Sequence, residues 1–443
     1  MTLLIVIMND AERNASRGLL LLRCHTATAR TPPLPDLSEE MIMEILLRLP
    51  ARTLVSLRSV CRSWRNLISS PDFTRNHLRR SRLRNPSLTP LRIACYNSLP
   101  FRCSGVRYDS IGVLSVQSIM ENPSEPTKVD YFSGQHYYRI VGSCHGLLCF
   151  FDEHDYQNTR GILWNPCTGF TFQSPQISGQ AFSSGFGYDH LSDSYKLFGI
   201  IRKKGPSGVE YSTRIYTFGS TLSWRRIDDS PFGLLGIPTN HFCMAENGVF
   251  FGSSRACTIN WIVNHVVLYF DLGKETYAHF TLPDTDSSDY LWIQCKKLCV
   301  LINCLSVCYG YLRTQPSIVW QMKEYGDAQS WTKLAMISFH GLFSPLQPLY
   351  ISETDVLLAV SPSFKIVLCN LNDGSVDFPV IDEGAENDPY LSQSICSRMA
   401  YIYHESLVSP NGLQGNSSKT LLRFIKPKPN PIVSWVYVRP EVQ

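Results

Sequence analysis

Cys295, Cys299, Cys304 and Cys308 are the residues of this chain whose type and proximity could hold a metal ion. Their spacing, Cys-x3-Cys-x4-Cys-x3-Cys, lacks the closely spaced pair of a zinc knuckle. Residues four apart in a strand share a face, so the same cysteines fit the buried side of ordinary strands. Cys144-His145 sets a thiol beside an imidazole, without the local signature of a cysteine nucleophile. The sequence has no phosphate-cradling Gly loop, metalloprotease helix or Gly-x-Ser-x-Gly elbow. The sequons Asn14-Ala15-Ser16 and Asn416-Ser417-Ser418 matter only in a secreted protein. No catalytic residue, metal or cofactor is expected, and the chemistry to look for is association.

Composition agrees. Of 443 residues, 44% are apolar and 18% charged, enough for a sizeable folded core. A net charge of +4 is too small on so long a chain to suggest bulk nucleic-acid binding. The 15 cysteines sit mostly inside apolar runs, as reduced buried thiols would in an intracellular protein, cytoplasmic, nuclear or both. The apolar runs at 3–8 and 19–22 are too short to span a bilayer and too broken for a signal peptide, and no membrane partner is expected. Residues 1–33, ending at Pro32-Pro33, read as a disordered leader.

Residues 34–76 read as three short helices. The first starts near Ser38, with Asp36 or Ser38 as cap and Glu39-Glu40 in the first turn. Met41, Ile42, Ile45, Leu46 and Leu49 follow at helical spacing, and Pro50 ends it. Thr53 is the expected cap of the second, with Leu54, Leu57 and Val60 along one side. The third carries Cys61, Trp64, Leu67 and Ile68 and stops before Pro71, while Arg58, Arg62 and Arg65 interleave as a basic face. So small a unit is marginal alone and cannot cover all these side chains. It either packs on the rest of the chain or binds a partner. Residues 77–90 read as a basic linker. The run Arg75–Arg84 is either the solvated face of a helix, with Leu78 and Leu83 beneath, or a nuclear localisation or nucleic-acid patch.

From Leu91 onward, short runs of Val, Ile, Leu, Tyr and Phe alternate with Gly, Asn, Asp, Ser and Pro clusters, the pattern of an all-β region. Loose repeats fall at 146–172, 185–227, 248–274, 298–334 and 356–378. At about 50 residues per unit, the kelch-type period, residues 91–443 leave room for about six or seven propeller blades. The last blade is expected to combine strands from both ends, 91–96 with 401–408 or 421–425. Gly185, Gly187 and Gly248 are expected at turns or close packing, Asp189, Asn165 and Asp271 at turn backbone groups, and Trp164, Trp224 and Trp331 between blades. Candidate target loops are Phe101–Tyr108, Asp152–Arg160, Lys203–Tyr211, Phe232–His241, Ser253–Thr258, Asp284–Tyr290 and Ser338–Pro348.

Two family resemblances cover most of the chain after Leu34. Glu44-Ile45-Leu46-Leu47-Arg48-Leu49-Pro50, then Leu54, Leu57, Arg58, Val60-Cys61-Arg62-Ser63-Trp64, Leu67-Ile68-Ser69 and Pro71-Asp72-Phe73, resembles a plant F-box. Members commonly begin with Leu-Pro where this chain has Leu37-Ser38, and an altered helix start is expected rather than lost binding. Val141-Gly142-Ser143-Cys144-His145-Gly146, Leu163-Trp164-Asn165-Pro166 and Gly185-Phe186-Gly187-Tyr188-Asp189 resemble the kelch-like domain associated with plant F-boxes. The resemblance implies an α+β multidomain chain, a three-helix F-box followed by an all-β propeller. It implies docking on a Skp-type adaptor and through it a cullin, by Leu37, Met41, Ile42, Ile45, Leu46, Leu49 and Pro50. Leu54, Leu57, Val60, Cys61, Trp64 and Ile68 would be shared between that contact and the module's core. The expected function is the substrate-recognition subunit of an SCF-type ubiquitin ligase, itself non-catalytic, with its target protein unidentified. The alternatives are a propeller-based ligand sensor or enzyme with the helices as a regulatory dock, and a non-degradative scaffold.

Overall fold

The computed structural model describes residues 38–84, 90–99, 108–128, 130–133, 138–152, 157–206, 208–220, 222–231, 249–252, 256–263, 265–283, 293–311, 316–337, 346–361, 365–382 and 400–409. The leader 1–33, Leu37 and residues 421–425 lie outside them. The chain divides into two compact units, Met1–Thr89 and Pro90–Gln443.

The described residues of the first unit form four helices: α1 (Glu39–Leu46), α2 (Ala51–Leu57), α3 (Arg62–Ser69) and α4 (Pro71–Arg84). The Ser38 hydroxyl caps α1, accepting the Met41 N–H at 3.3 Å, so the departure from Leu-Pro leaves a working cap. Thr53 does not cap α2. Pro50 stands at that cap with φ −59°, a geometry its ring enforces, and it has no N–H to leave unsatisfied. Cys61 caps α3, its sulfur accepting the Trp64 N–H at 3.4 Å, and Ser70 accepts the Phe73 N–H at 3.2 Å where α4 begins. Helix α4 runs through the segment read from sequence as a linker. Its His77 is buried, its Leu78 is half-buried and its Arg79 is exposed, the one-sided burial of a helix lying on a core.

The second unit is a six-bladed propeller. From the inside outward, blade 1 comprises Ala400–His404, Leu91–Leu99, Tyr108–Ser115 and Asp130–Ser133. Blade 2 is Tyr138–Cys144, Leu147–Asp152, Asn158–Trp164 and Thr171–Gln173, with Ile177–Ser178 added to its third strand. Blade 3 is Gln180–Asp189, Ser194–Gly205, Gly208–Thr217 and Arg225–Arg226. Blade 4 is Val249–Gly252, Cys257–Val263, Val266–Asp271 and Thr276–Thr281. Blade 5 is Ile293–Leu301, Cys304–Tyr311, Ser317–Met322 and Trp331–Ile337, and blade 6 is Gln347–Ile351, Val356–Val360, Ile366–Asn370 and Val376–Asp377. Each innermost strand touches the next around a closed ring. The five sequence repeats fall one to a blade in blades 2–6.

Two devices recur at these repeats. Where the third strand turns into the fourth, an Asn or Asp carboxamide or carboxylate accepts the turn's own N–H groups. Asn165 accepts from Cys167 (2.8 Å) and Thr168 (3.2 Å), and Asp271 from Gly273 and Lys274 (both 2.9 Å). Asn370 accepts from Asn372 (2.9 Å). At the start of the fourth strand an indole N–H reaches the preceding blade, Trp224 donating to Pro175 O (2.9 Å) and Trp331 to Thr281 O (3.1 Å). Gly185 and Gly187 permit close packing of blade 3 on blade 4, since a Cβ there would lie 2.3 Å from Ile259 and 2.2 Å from Phe250. Gly248 lies outside the described residues.

Asn165 is fully buried and has a second role, its Nδ2 donating to Ser406 O (3.0 Å) and Val408 O (2.8 Å). Asn165→Ala leaves these carbonyls and two turn N–H groups short of partners. It is expected to cost about 2–4 kcal/mol in urea unfolding of the full chain. Asn165→Asp keeps only the turn half and should recover only part of that loss.

Candidate docking surfaces

In the helical unit the structure sorts the candidate adaptor residues by exposure. Leu46, Leu49, Leu54, Leu57 and Ile68 are buried in the module's own core, together with Leu47, Ala51 and Phe73. Ile42, Ile45, Pro50 and Trp64 are half-buried, and Cys61 is exposed with its sulfur engaged as a cap. Met41 and Val60 stand 53% and 61% exposed. Val60 does not continue the side formed by Leu54 and Leu57, because α2 has ended and Val60 lies in the following turn.

Sequence reasoning missed the polar ties that hold this surface in place. The Arg80 guanidinium grips the Glu44 carboxylate through two bonds of 2.7 Å, joining α4 to α1, and holds that carboxyl below its ordinary range. His77 Nε2 lies 2.9 Å from the Leu49 carbonyl, so that nitrogen must carry the proton and donate. Both partners lie in the basic run, where net charge alone gives no sign of them; the signal was their position, four and seven residues after the buried Phe73.

In the propeller, the candidate chemical groups make contacts within the fold. Cys299 and Cys308 are buried in one apolar cluster of blades 5 and 6, and burial pushes the Cys299 thiol well above its ordinary value. Among the described residues no group of three or more His, Cys, Asp and Glu side chains is placed to hold a metal ion. His145 occupies a tight turn with φ 54°, followed by Gly146 at φ 81°, where a Cβ would lie 2.5 Å from the His404 carbonyl. The imidazole Nδ1 lies 3.0 Å from the Tyr195 hydroxyl, its ring against Tyr188, and Cys144 beside it is buried. Lys196 is buried between blades 3 and 4, bonded to the Leu272 carbonyl (2.6 Å) and paired with Asp189 (3.0 Å) and Glu275 (3.2 Å). Burial pushes the Asp189 carboxyl up, but its bonds from Ser192 and Lys196 outweigh this and hold it below its ordinary range.

Up-and-down alternation assigns the candidate target loops to ends of the ring. The strand ends flanking Phe101–Tyr108, Asp152–Arg160, Phe232–His241, Asp284–Tyr290 and Ser338–Pro348 all lie at one end, with the Lys203–Tyr211 hairpin. Those flanking Ser253–Thr258 lie at the other, with the Asx turns. Of these segments, Lys203–Tyr211 is described except for residue 207; the others lie partly or wholly outside the described residues.

The described residues join a helical module that exposes Met41 and Val60 to a six-bladed propeller. Residues 100–409 match the model of the F-box associated beta propeller domain, and residues 34–76 that of the F-box domain. The chain belongs to the plant F-box proteins with an F-box-associated propeller. It is 29% identical over 396 residues to an F-box/kelch-repeat protein of Arabidopsis thaliana, covering 85% of this chain and 97% of that relative. It is 27% identical to the F-box protein CPR1 of Arabidopsis thaliana, covering 67% and 71%. F-box domains in general bind Skp-type adaptors in SCF complexes, and this layout supports the general role of a substrate adaptor.

Burial of His77 outweighs its bond to Leu49 and pushes its pKa below the ordinary 6.5. The unfolded chain therefore takes up this proton first as pH falls. The stability His77 contributes is complete above about pH 6.5 and is lost as pH drops through the lower folded value. The midpoint for loss of the helical signal at 222 nm should fall between about pH 7.5 and pH 5. His77→Gln should flatten that step.

Proposed function

We propose that this chain is the substrate-recognition subunit of an SCF-type cullin ubiquitin ligase. The helical module docks on a Skp-type adaptor, and through it a cullin, while the propeller holds the protein to be ubiquitinated. The chain performs no bond chemistry of its own. It acts by proximity, raising the effective concentration of the target's lysines at the reactive thioester.

The observation that carries this reading is the exposure of Met41 and Val60 on a module whose core is already filled by Leu46, Leu54, Ile68 and Phe73. Burying such side chains at an interface is worth roughly 1.5–3 kcal/mol each. The half-buried Ile42, Ile45, Pro50 and Trp64 supply the rest of the apolar contact.

The test is adaptor capture by the purified full chain. Met41→Glu/Val60→Glu removes the exposed contacts without touching the core, and should weaken binding by about tenfold or more with the helical signal intact. Leu54→Ala should instead destabilise the module by about 2–5 kcal/mol. Undiminished capture by the first variant, or no capture by the unaltered chain, would sink the proposal.

A further inference from the structure

A groove of about 650 Å³ opens between the outer parts of blades 2 and 3. Its walls include Lys203, Glu210, Tyr211, Arg214, Trp224 and Arg226, facing the blade 2 segment 175–178. The Trp224–Pro175 bond ties the two walls, and Trp224 stacks on Phe151 with ring centroids 6.1 Å apart, so the groove is built before any ligand arrives.

Its charge is unbalanced. Arg214 and Arg226 stand directly opposite one another in the strand register, a like-charge pairing that destabilises a sheet. Arg214 Nε bonds a neutral partner, the Ser212 hydroxyl at 3.3 Å. Arg226 makes a long exposed contact of 3.7 Å with Asp229. Glu210 is the one acid among the lining residues, and it stands across the register from Lys203.

The groove also borders a strand edge. Among the described residues, Gly208–Thr217 is strand-paired on its outer side at Arg214 and Ile215, by the two-residue strand Arg225–Arg226. Thr213 faces that outer side, its carbonyl accepting from Ile227 (3.1 Å) and its N–H donating to Asp229 (3.0 Å). Strand alternation turns the N–H and C=O of Tyr211 and Val209 the same way, where no described strand meets them. An extended peptide is the ligand that uses both features, its main chain adding to an open edge and its anionic side chains meeting guanidinium groups.

We propose that this groove binds an extended acidic peptide segment, with main-chain bonds to the Val209–Tyr211 edge and carboxylate or phosphoryl oxygens on Arg214 and Arg226. The proposal rests on the recognition role above only in taking the ligand to be part of a target protein.

The probes are labelled peptides of roughly ten residues, long enough to span the strand: alternating Glu-Ser, its phosphoserine form and alternating Lys-Ser, with an oligothymidine of similar length as a fourth. Fluorescence anisotropy with the full chain should show saturable binding of an acidic peptide that weakens with salt. The Lys-Ser peptide should not bind, and the two acidic forms separate carboxylate from phosphoryl recognition. Arg214→Gln/Arg226→Gln should weaken binding by about tenfold. Photocrosslinking of the acidic peptide to the unaltered protein should label residues 176–178, 209–214 and 223–226, which decides the matter if the variant does not fold. No saturable binding, labels elsewhere, an unaffected folded variant or tighter oligothymidine binding would each overturn the proposal. Adaptor capture by the same preparation separates the two readings. Capture without peptide binding overturns the groove alone, and peptide binding without capture overturns the ligase role alone.

Discussion

Closure of the ring between the two ends of the propeller is the constraint on which its other contacts depend. Ala400–His404 pairs with Leu91–Leu99 from Leu91↔His404 to Cys95↔Ala400, and it is the innermost strand of its blade. Its neighbours are then blade 2 on one side and blade 6 on the other. Arg92 holds the almost fully buried Glu405 at 2.8 Å across 313 positions of sequence. The Ser143 hydroxyl donates to Ile402 O (2.6 Å), and the Ser406 hydroxyl to His145 O (2.7 Å). A second tie, the parallel pair Thr127–Lys128 with Ile381–Asp382, closes the same seam. Joining points so far apart costs chain entropy that grows only slowly with loop length, so a few buried hydrogen bonds and one strand's core suffice to hold it.

The closure also explains why residues that look like site chemistry serve the fold. His145 sits where the inner hairpin of blade 2 meets the returning C-terminal segment, and its left-handed backbone lets the carbonyl face Ser406. Asn165, in the same blade, uses its acceptor for its own turn and its donors for that segment. Buried polar groups must be partnered, and here the partners are main-chain groups of the seam and of neighbouring blades. Lys196 follows the same rule between blades 3 and 4.

Legibility in the sequence followed locality. Blades 2–6 were readable because each is one continuous run, and blades 2, 4 and 6 carry their Asx turns at Asn165, Asp271 and Asn370 in plain view. Blade 1 left no sixth repeat because its four strands come from opposite ends of the chain. In the helical module, periodicity placed the apolar side chains on helices but could not divide core from surface. A three-helix reading leaves too many to cover, and α4 adds the buried Phe73 and His77 to the module. Thr53 looked like a cap because its residue type favours caps, and it lost to Pro50, whose fixed φ already suits a helix start.

These features separate the tasks of the two units. In the helical module, Leu46, Leu54 and Ile68 are committed inward, and the apolar side chains left at its surface are Met41, Val60 and the half-buried Ile42, Ile45 and Trp64. In the propeller, adjacent blades are fixed to one another by glycine-permitted contacts and cross-blade indoles, so the core has little freedom to vary. The hairpin Ser194–Gly205/Gly208–Thr217 projects past its neighbours with Arg202, Lys203, Lys204 and Val209 exposed. Substitution there alters what the surface presents without disturbing the ring beneath it, and this division lets one fold combine a constant scaffold with a changeable surface.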